Sequence, residues 1–247
     1  MGLVGQVTEI WRYPVSSIGG ERLDSAQLSA VGISGDRLFG LVDATSGMPA
    51  VPEKDHKWRQ ALHLNAKTLA DGLPIISFPN GSSYLLDEPD LKPALSEYFG
   101  FAVTVATYAH SGRADFPITH YRYQHFPAHV LTTASLRHLA TLRNVDVVDC
   151  RRFRPNVLIE PSDGSGFVED RWIGSRLRLG EVRLIAQEET KRCGVTFISQ
   201  PGLDEDPEIL RNILRHNKRH LGIYCAVDSV GDIRVGDEVF IEDGPRQ

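Results

Sequence analysis

Cysteine is scarce in this chain: Cys150, Cys193 and Cys225 are widely separated and form no CxxC pair. An odd count at such spacing does not build a disulfide framework, and three thiols are too few for a four-thiolate iron–sulfur cluster. Long apolar runs are missing too, with no stretch of about 18 residues that would cross a membrane. The first ten residues lack the basic flank and apolar core of a signal peptide, so the cytoplasm is the expected compartment. Excess positive charge is absent: 27 Lys and Arg stand against 32 Asp and Glu, a formal net charge of −5. That balance argues against a general nucleic-acid or anionic-membrane partner. Phosphate loops and dinucleotide fingerprints are absent as well, since no Gly-Lys-Ser/Thr follows Asp163-Gly-Ser-Gly.

What is present reads as a β-rich α+β chain. Its 247 residues, 41% hydrophobic, suffice for one large domain or two small ones with a real core. Residues 7–13 form a strand by their Val, Ile, Trp and Tyr content, ended by Pro14, Ser16, Ser17 and two glycines. Residues 23–28 alternate, and residues 37–43 follow Gly35-Asp36 as another strand. Short strands are expected at 62–64, 74–78 and 83–86, separated by Asp71-Gly72 and the hairpin signal Asn80-Gly81. Asp90 and Gly100 bracket a helix with apolar Leu91, Leu95 and Phe99, and a strand follows at 103–108. Residues 109–127, crowded with His110, Ser111, Gly112, Arg113, His120 and His125, read as a connector, and their histidines have no tight metal-ligand spacing.

After the connector, residues 129–136 read as a strand entering a helix capped by Thr132 or Thr133. Simple capping is one reading. The other is an anion site, in which the helix start adds its free N–H groups to the hydroxyls of Thr132, Thr133 and Ser135. Residues 151–160 begin basic and become a strand, where alternation would put Arg154 and Asn156 on one face, apart from Arg151 and Phe153. Arginine's planar fork suits phosphate or carboxylate, while Pro155 also permits an exposed edge strand. Residues 172–179 and 181–186 form a hairpin across Gly180, and Asp206-Pro207-Glu208 starts a helix. His216 and His220, four apart, read as a solvated helix end. Residues 222–226 and 233–241 read as closing strands, with Cys225 in the core.

The hairpin delivers the chain to Cys193, flanked by Lys191, Arg192 and Gly194. A free thiol has a pKa of about 8.5, and adjacent cations favour its anion. Gly194 would let a large ligand approach the backbone closely. A buried structural thiol is the competing reading.

Five pieces in order carry a family likeness: Tyr13-Pro-Val-Ser-Ser17, Gly35-Asp-Arg37, Leu131-Thr-Thr-Ala-Ser135, Arg152-Phe-Arg-Pro-Asn156, and Arg192-Cys193 with Thr196. With Gly222, Gly231 and Val235-Gly-Asp237 they resemble the MOSC family, and within it the amidoxime-reducing members and their bacterial counterparts. The resemblance implies a MOSC-type β-barrel over residues 110–247, preceded by a smaller β-barrel-like N-terminal domain over 1–109, with the site at their junction. It implies a molybdenum-pterin cofactor whose metal is ligated by Cys193, which would also be the catalytic residue. Ser17, Arg37, Thr132, Thr133, Ser135, Arg154, Asn156 and Arg192 would line the pterin and its phosphate, with Tyr224 as a weaker carry-over. The chain departs from the family at Ser16, where a lysine is usual, and at Lys191, usually small and polar. Lys191 is the expected replacement for the missing cation.

The implied function is an oxidoreductase that reduces N-hydroxylated or N-oxide small molecules. With no flavin, nicotinamide or cluster motif of its own, it would need an external electron donor, ferredoxin-like or a flavin reductase. Two alternatives stay open: a non-catalytic carrier of cofactor or of sulfur on Cys193, and a β-rich interaction module.

Overall fold

The computed structural model describes residues 2–69, 72–108, 115–121 and 124–243. Asp71 of the expected turn, and His110, Ser111, Gly112 and Arg113 of the expected connector, lie outside the described residues. The first third holds β1 (Gly2–Arg12), β2 (Val15–Ser16), β3 (Glu21–Leu23), β4 (Ser25–Ser29), β5 (Gly32–Ile33) and β6 (Phe39–Asp43). Then come β7 (Asn65–Thr68), β8 (Pro74–Ser77), β9 (Ser83–Leu85), helix α1 (Leu91–Phe99), β10 (Val103–Tyr108) and β11 (Ile118–Thr119). The remainder holds β12 (Ala128–Thr132), α2 (Thr133–Arg143), β13 (Val157–Pro161), β14 (Arg176–Leu179), β15 (Val182–Lys191), α3 (Pro207–Asn217), β16 (His220–Ser229), β17 (Gly231–Arg234) and β18 (Glu238–Asp243).

Seven strands close into a barrel in the order β13-β12-β16-β15-β14-β18-β1, with β1 pairing back onto β13. Alternation fills it: Leu177, Leu179, Val182, Leu184 and Ala186 join the interior core, while Arg178 and Arg183 between them stay partly exposed. Strand β12 is buried on both faces, because Ala128 and Val130 enter the barrel while Leu131 packs with Leu139 of α2 and Ile213 of α3. One side of the barrel is thereby covered by two helices.

A second core gathers Phe39 and Leu41 of β6, Leu95 and Phe99 of α1, Val103 of β10, and Trp58. Trp58 meets Phe99 and Phe101 edge-on, with ring centroids 5.1 and 4.9 Å apart. Such aromatic pairs stabilise by roughly 0.5–1.5 kcal/mol beyond their burial. The two cores do not divide the chain cleanly at residue 109: β1 belongs to the barrel, and β4 pairs with β17.

Three expected strands differ. Residues 62–64 lie largely in a 3-10 helix, His56–His63, started by Asp55 accepting the Lys57 N–H and packed through Trp58, Ala61 and Leu62. A short apolar run cannot distinguish that turn from a strand. Residues 172–179 split at Gly174, φ 84°, so the strand begins only at Arg176. Residues 150–152 form a 3-10 turn capped by Asp149, and Arg154 has φ 53°, so strand alternation does not govern the arginines. The strand that follows is no edge: β13 lies between β12 and β1.

Candidate active site

Strand β2 and the turn after it, the loop before β6, the arginine turn before β13, the end of β15 with the turn that follows it, and β16 converge on one cavity of about 610 Å³. Ser17, Arg37, Arg154, Asn156, Lys191, Arg192, Cys193 and Tyr224 all line it. Four of its lining residues, Ser17, Arg37, Arg154 and Arg219, are non-glycine residues with positive φ, from 48° to 75°. Left-handed backbone costs an L-residue roughly 1–2 kcal/mol. The two other such residues, Asn144 and Lys218, cap the C-termini of α2 and α3, where that conformation is ordinary, and Arg219 belongs to the same α3 end, its N–H donating to the Ile213 carbonyl. Backbone strain outside helix ends is therefore concentrated at this cavity among the described residues.

The arginines differ in what they have left to offer. Arg37 is spent on the protein: Nη1 donates to Asp36 and, at 3.3 Å, to Asn156 Oδ1, while Nη2 donates to the Arg154 carbonyl at 3.0 Å. Arg154 donates through Nη1 to the Ile18 carbonyl, and its buried Nη2 has no partner. Arg192 donates through Nη2 to the Phe153 carbonyl at 2.6 Å, and its buried Nε has none. The Tyr13 ring supports two of them, with the Arg154 and Arg37 guanidinium carbons 4.2 and 4.9 Å from its centroid.

Burial, then the neighbouring Arg37 charge, pulls Arg154 down to about 10. Burial likewise lowers Arg192. For Arg37, burial is the largest influence and lowers it, but Asp36 together with Tyr13 and Tyr224 turns the net shift upward. Burial and Arg192 hold His129 well below the ordinary histidine value, so its ring is neutral. Arg154 and Arg192 thus carry buried positive charge with unused donors, a state that favours an anion.

Cys193 lies two residues beyond β15, at the start of the 3-10 turn Gly194–Phe197, and is half-buried at the cavity wall. Its carbonyl is held by the Thr196 hydroxyl at 2.9 Å, and Arg152 braces the same turn through the carbonyls of Thr196 and Asp204. Burial raises the other two thiols, Cys225 to about 12 and Cys150 further, so they are inert core residues. Gly194 serves packing, because an added Cβ would lie 3.2 Å from both Glu53 and the Phe197 ring. Among the described residues no group of three or more His, Cys, Asp or Glu could hold an ion. A metal beside Cys193 must bring further ligands with it, as a dithiolene chelate does.

The anion-site reading of the α2 start is corrected. Thr132, Thr133 and Ser135 do not line the cavity. Thr132 caps α2, accepting the Ser135 N–H at 3.1 Å, and the hydroxyls of Thr132 and Ser135 both donate to buried Glu169 at 2.6 Å. The Thr133 hydroxyl goes to Glu160. A carboxylate already occupies that helix start. Sequence reasoning also missed His129, Tyr13 and Arg219. Tyr13 opens the quoted first motif, which assigns it no role; His129 carries no local signal, because only barrel closure brings β12 beside Arg192.

The description "MOSC domain" fits residues 107–240, more than half of the chain. The chain belongs to the MOSC family. Its residues 4–69 match the MOSC N-terminal beta barrel domain. This MOSC protein is 24% identical to mitochondrial amidoxime reducing component 2 of Bos taurus, over 96% of the chain and 83% of that protein. The same component of Rattus norvegicus is 29% identical over 46% of the chain and 36% of its own length. The YuaD protein of Bacillus subtilis shares the fold, with TM-score 0.53 and 13% identity over 96% of this chain and 94% of that one. The family is one associated with the molybdenum cofactor. No described helix is long and apolar enough to cross a membrane.

Proposed function

We propose that this MOSC protein is a molybdenum-cofactor oxidoreductase that reduces N-hydroxylated or N-oxide compounds with electrons from an external donor, ferredoxin-like or a flavin reductase. The observation that carries the reading is the pairing, in one cavity, of the half-buried Cys193 with two buried guanidiniums that have unused donors. When bound, the cofactor supplies a two-electron centre able to accept an oxygen atom. Overall, the loss of an N-hydroxyl or N-oxide oxygen as water consumes two electrons, which the external donor would supply, and two protons.

Cys193 is the protein's ligand to the metal, a soft donor suited to it. Arg154 and Arg192 bind the cofactor's phosphate and dithiolene charge, each charge-assisted contact contributing about 1.5–3 kcal/mol. Arg37 and Asn156 hold the Arg154 loop, since both terminal nitrogens of Arg37 and both side-chain polar atoms of Asn156 contact protein atoms. Ser17 and Lys191 add polar contacts at the wall, and Lys191 stands in for the lysine absent at Ser16, which lines the same cavity. Tyr224, stacked on Phe126 with centroids 4.3 Å apart, offers an aromatic wall. Residues from both parts of the sequence line the cavity, Ser17 and Arg37 before residue 109 and Arg154, Arg192 and Cys193 after it, which supports a site at the expected junction.

Purified protein carrying molybdenum should convert benzamidoxime to benzamidine when supplied with reduced methyl viologen. Tight molybdenum with no amidine formed would instead assign a carrier role.

A further inference from the structure

We propose that His129 is the positioning residue of the anion site, tying the Arg154 loop to the Arg192 side chain and so aiming the two guanidiniums that have unused donors. The inference rests on the anion-site reading above and adds how that site is held in shape.

His129 sits on β12, a strand locked in the closed barrel, and is 4% exposed. Its backbone is fixed to the arginine turn: the N–H donates to Asn156 Oδ1 at 3.1 Å, and the carbonyl accepts the Asn156 N–H at 2.8 Å. The ring reaches both arginines, with Nδ1 3.3 Å from the Arg154 carbonyl and Nε2 3.4 Å from Arg192 Nη1. A guanidinium only donates, so that second contact needs a lone pair on Nε2. The ring hydrogen then belongs on Nδ1, where the Arg154 carbonyl accepts it.

The Arg154 carbonyl also accepts from Arg37 Nη2, so one atom of the left-handed turn gathers two side-chain contacts. Arg192 in turn has Nη2 on the Phe153 carbonyl and Nη1 on His129, which leaves Nε free for a ligand. Space for the ring is made on the opposite strand: a Cβ at Gly222 would lie 2.5 Å from His129 Nε2. His129 faces the cavity wall, yet its ring nitrogens are already engaged, which assigns it to positioning and not to ligand contact.

The test is titration of inorganic phosphate into cofactor-free full-length protein by calorimetry, with the molybdenum-to-protein ratio of freshly isolated protein as a second readout. His129→Asn keeps a donor near Nδ1 and loses the acceptor for Arg192, and should bind phosphate about tenfold more weakly, the scale of one charge-assisted hydrogen bond. His129→Gln places an acceptor near Nε2 and should stay within about twofold of wild type. In Arg192→Lys background, His129→Asn should add no further loss, because its effect runs through Arg192. A purely structural role predicts additive losses. Wild-type phosphate-scale affinity in His129→Asn, additive losses, or loss in His129→Gln with unchanged melting would overturn the proposal. Failure of wild type itself to bind phosphate and to carry molybdenum would instead sink the anion-site reading.

Discussion

At the scale of single residues, the cavity separates arginines that build the site from arginines that serve a ligand. Arg37 has spent its terminal nitrogens on Asp36, Asn156 and the Arg154 carbonyl, whereas Arg154 and Arg192 each retain a buried donor. Lys191 is the residue at which this chain is expected to differ from its relatives. If it replaces the cation missing at Ser16, Lys191→Arg should keep molybdenum through purification and Lys191→Ser should lose much of it. Equal retention in both variants, measured by elemental analysis, would remove Lys191 from the site. Cys193, Arg154 and Arg192 were legible in the sequence because their motifs are local. His129 was not, because its partners lie 25 and 63 residues away and meet it only through barrel pairing.

At the scale of elements, the start of α2 shows why a helix N-terminus alone does not identify an anion site. Thr132 and Ser135 have the residue types such a site uses, but Glu169 arrives from a distant turn and takes both hydroxyls. Burial pushes the Glu169 carboxyl up to about 7, against the donors from Ser135 and Thr132 that pull it down. The folded chain therefore holds a proton that the unfolded chain has released between about pH 4.5 and 7, and stability falls as pH rises through that window. The penalty above it is on the order of 3 kcal/mol. Glu169→Gln should stabilise the protein against urea at pH 8 and leave it nearly unchanged at pH 5. An equal effect at both pH values would show that the carboxyl is not titrating in the fold. The arginine turn makes a related point: residues 151–156 read as an alternating strand, but the Asp149 cap and the left-handed Arg154 bring Arg152, Phe153 and Arg154 to one cavity, while Arg151 stays outside on Asp149. Hairpins at Asn80-Gly81 and Gly180 were readable because turn chemistry is local.

At the scale of the molecule, the barrel is completed by a strand from the far end of the chain. Strand β1 fills the place between β13 and β18, pairing Val7 with Ile159 and Gly5 with Val239. The β-rich class and the order of elements follow from composition and turn signals, but this long-range closure leaves no periodic trace. A fragment of residues 110–247 would present unpaired edges at β13 and β18 and expose Ile159 and Val239 of the core. It should fail to melt cooperatively, whereas adding residues 1–12 as a separate peptide should restore part of the transition. A cooperative melt of the fragment alone, followed by circular dichroism, would show that the barrel does not need β1.

That same closure brings the arginine turn, β12 and the Cys193 loop to one cavity, so the central claim concerns what the cavity holds. The most direct measurement is molybdenum per chain by elemental analysis, comparing wild type with Cys193→Ser from a host that makes the cofactor. The account predicts close to one molybdenum per wild-type chain and a large loss in the variant. Wild-type protein without molybdenum, or the same ratio in both proteins, would contradict it.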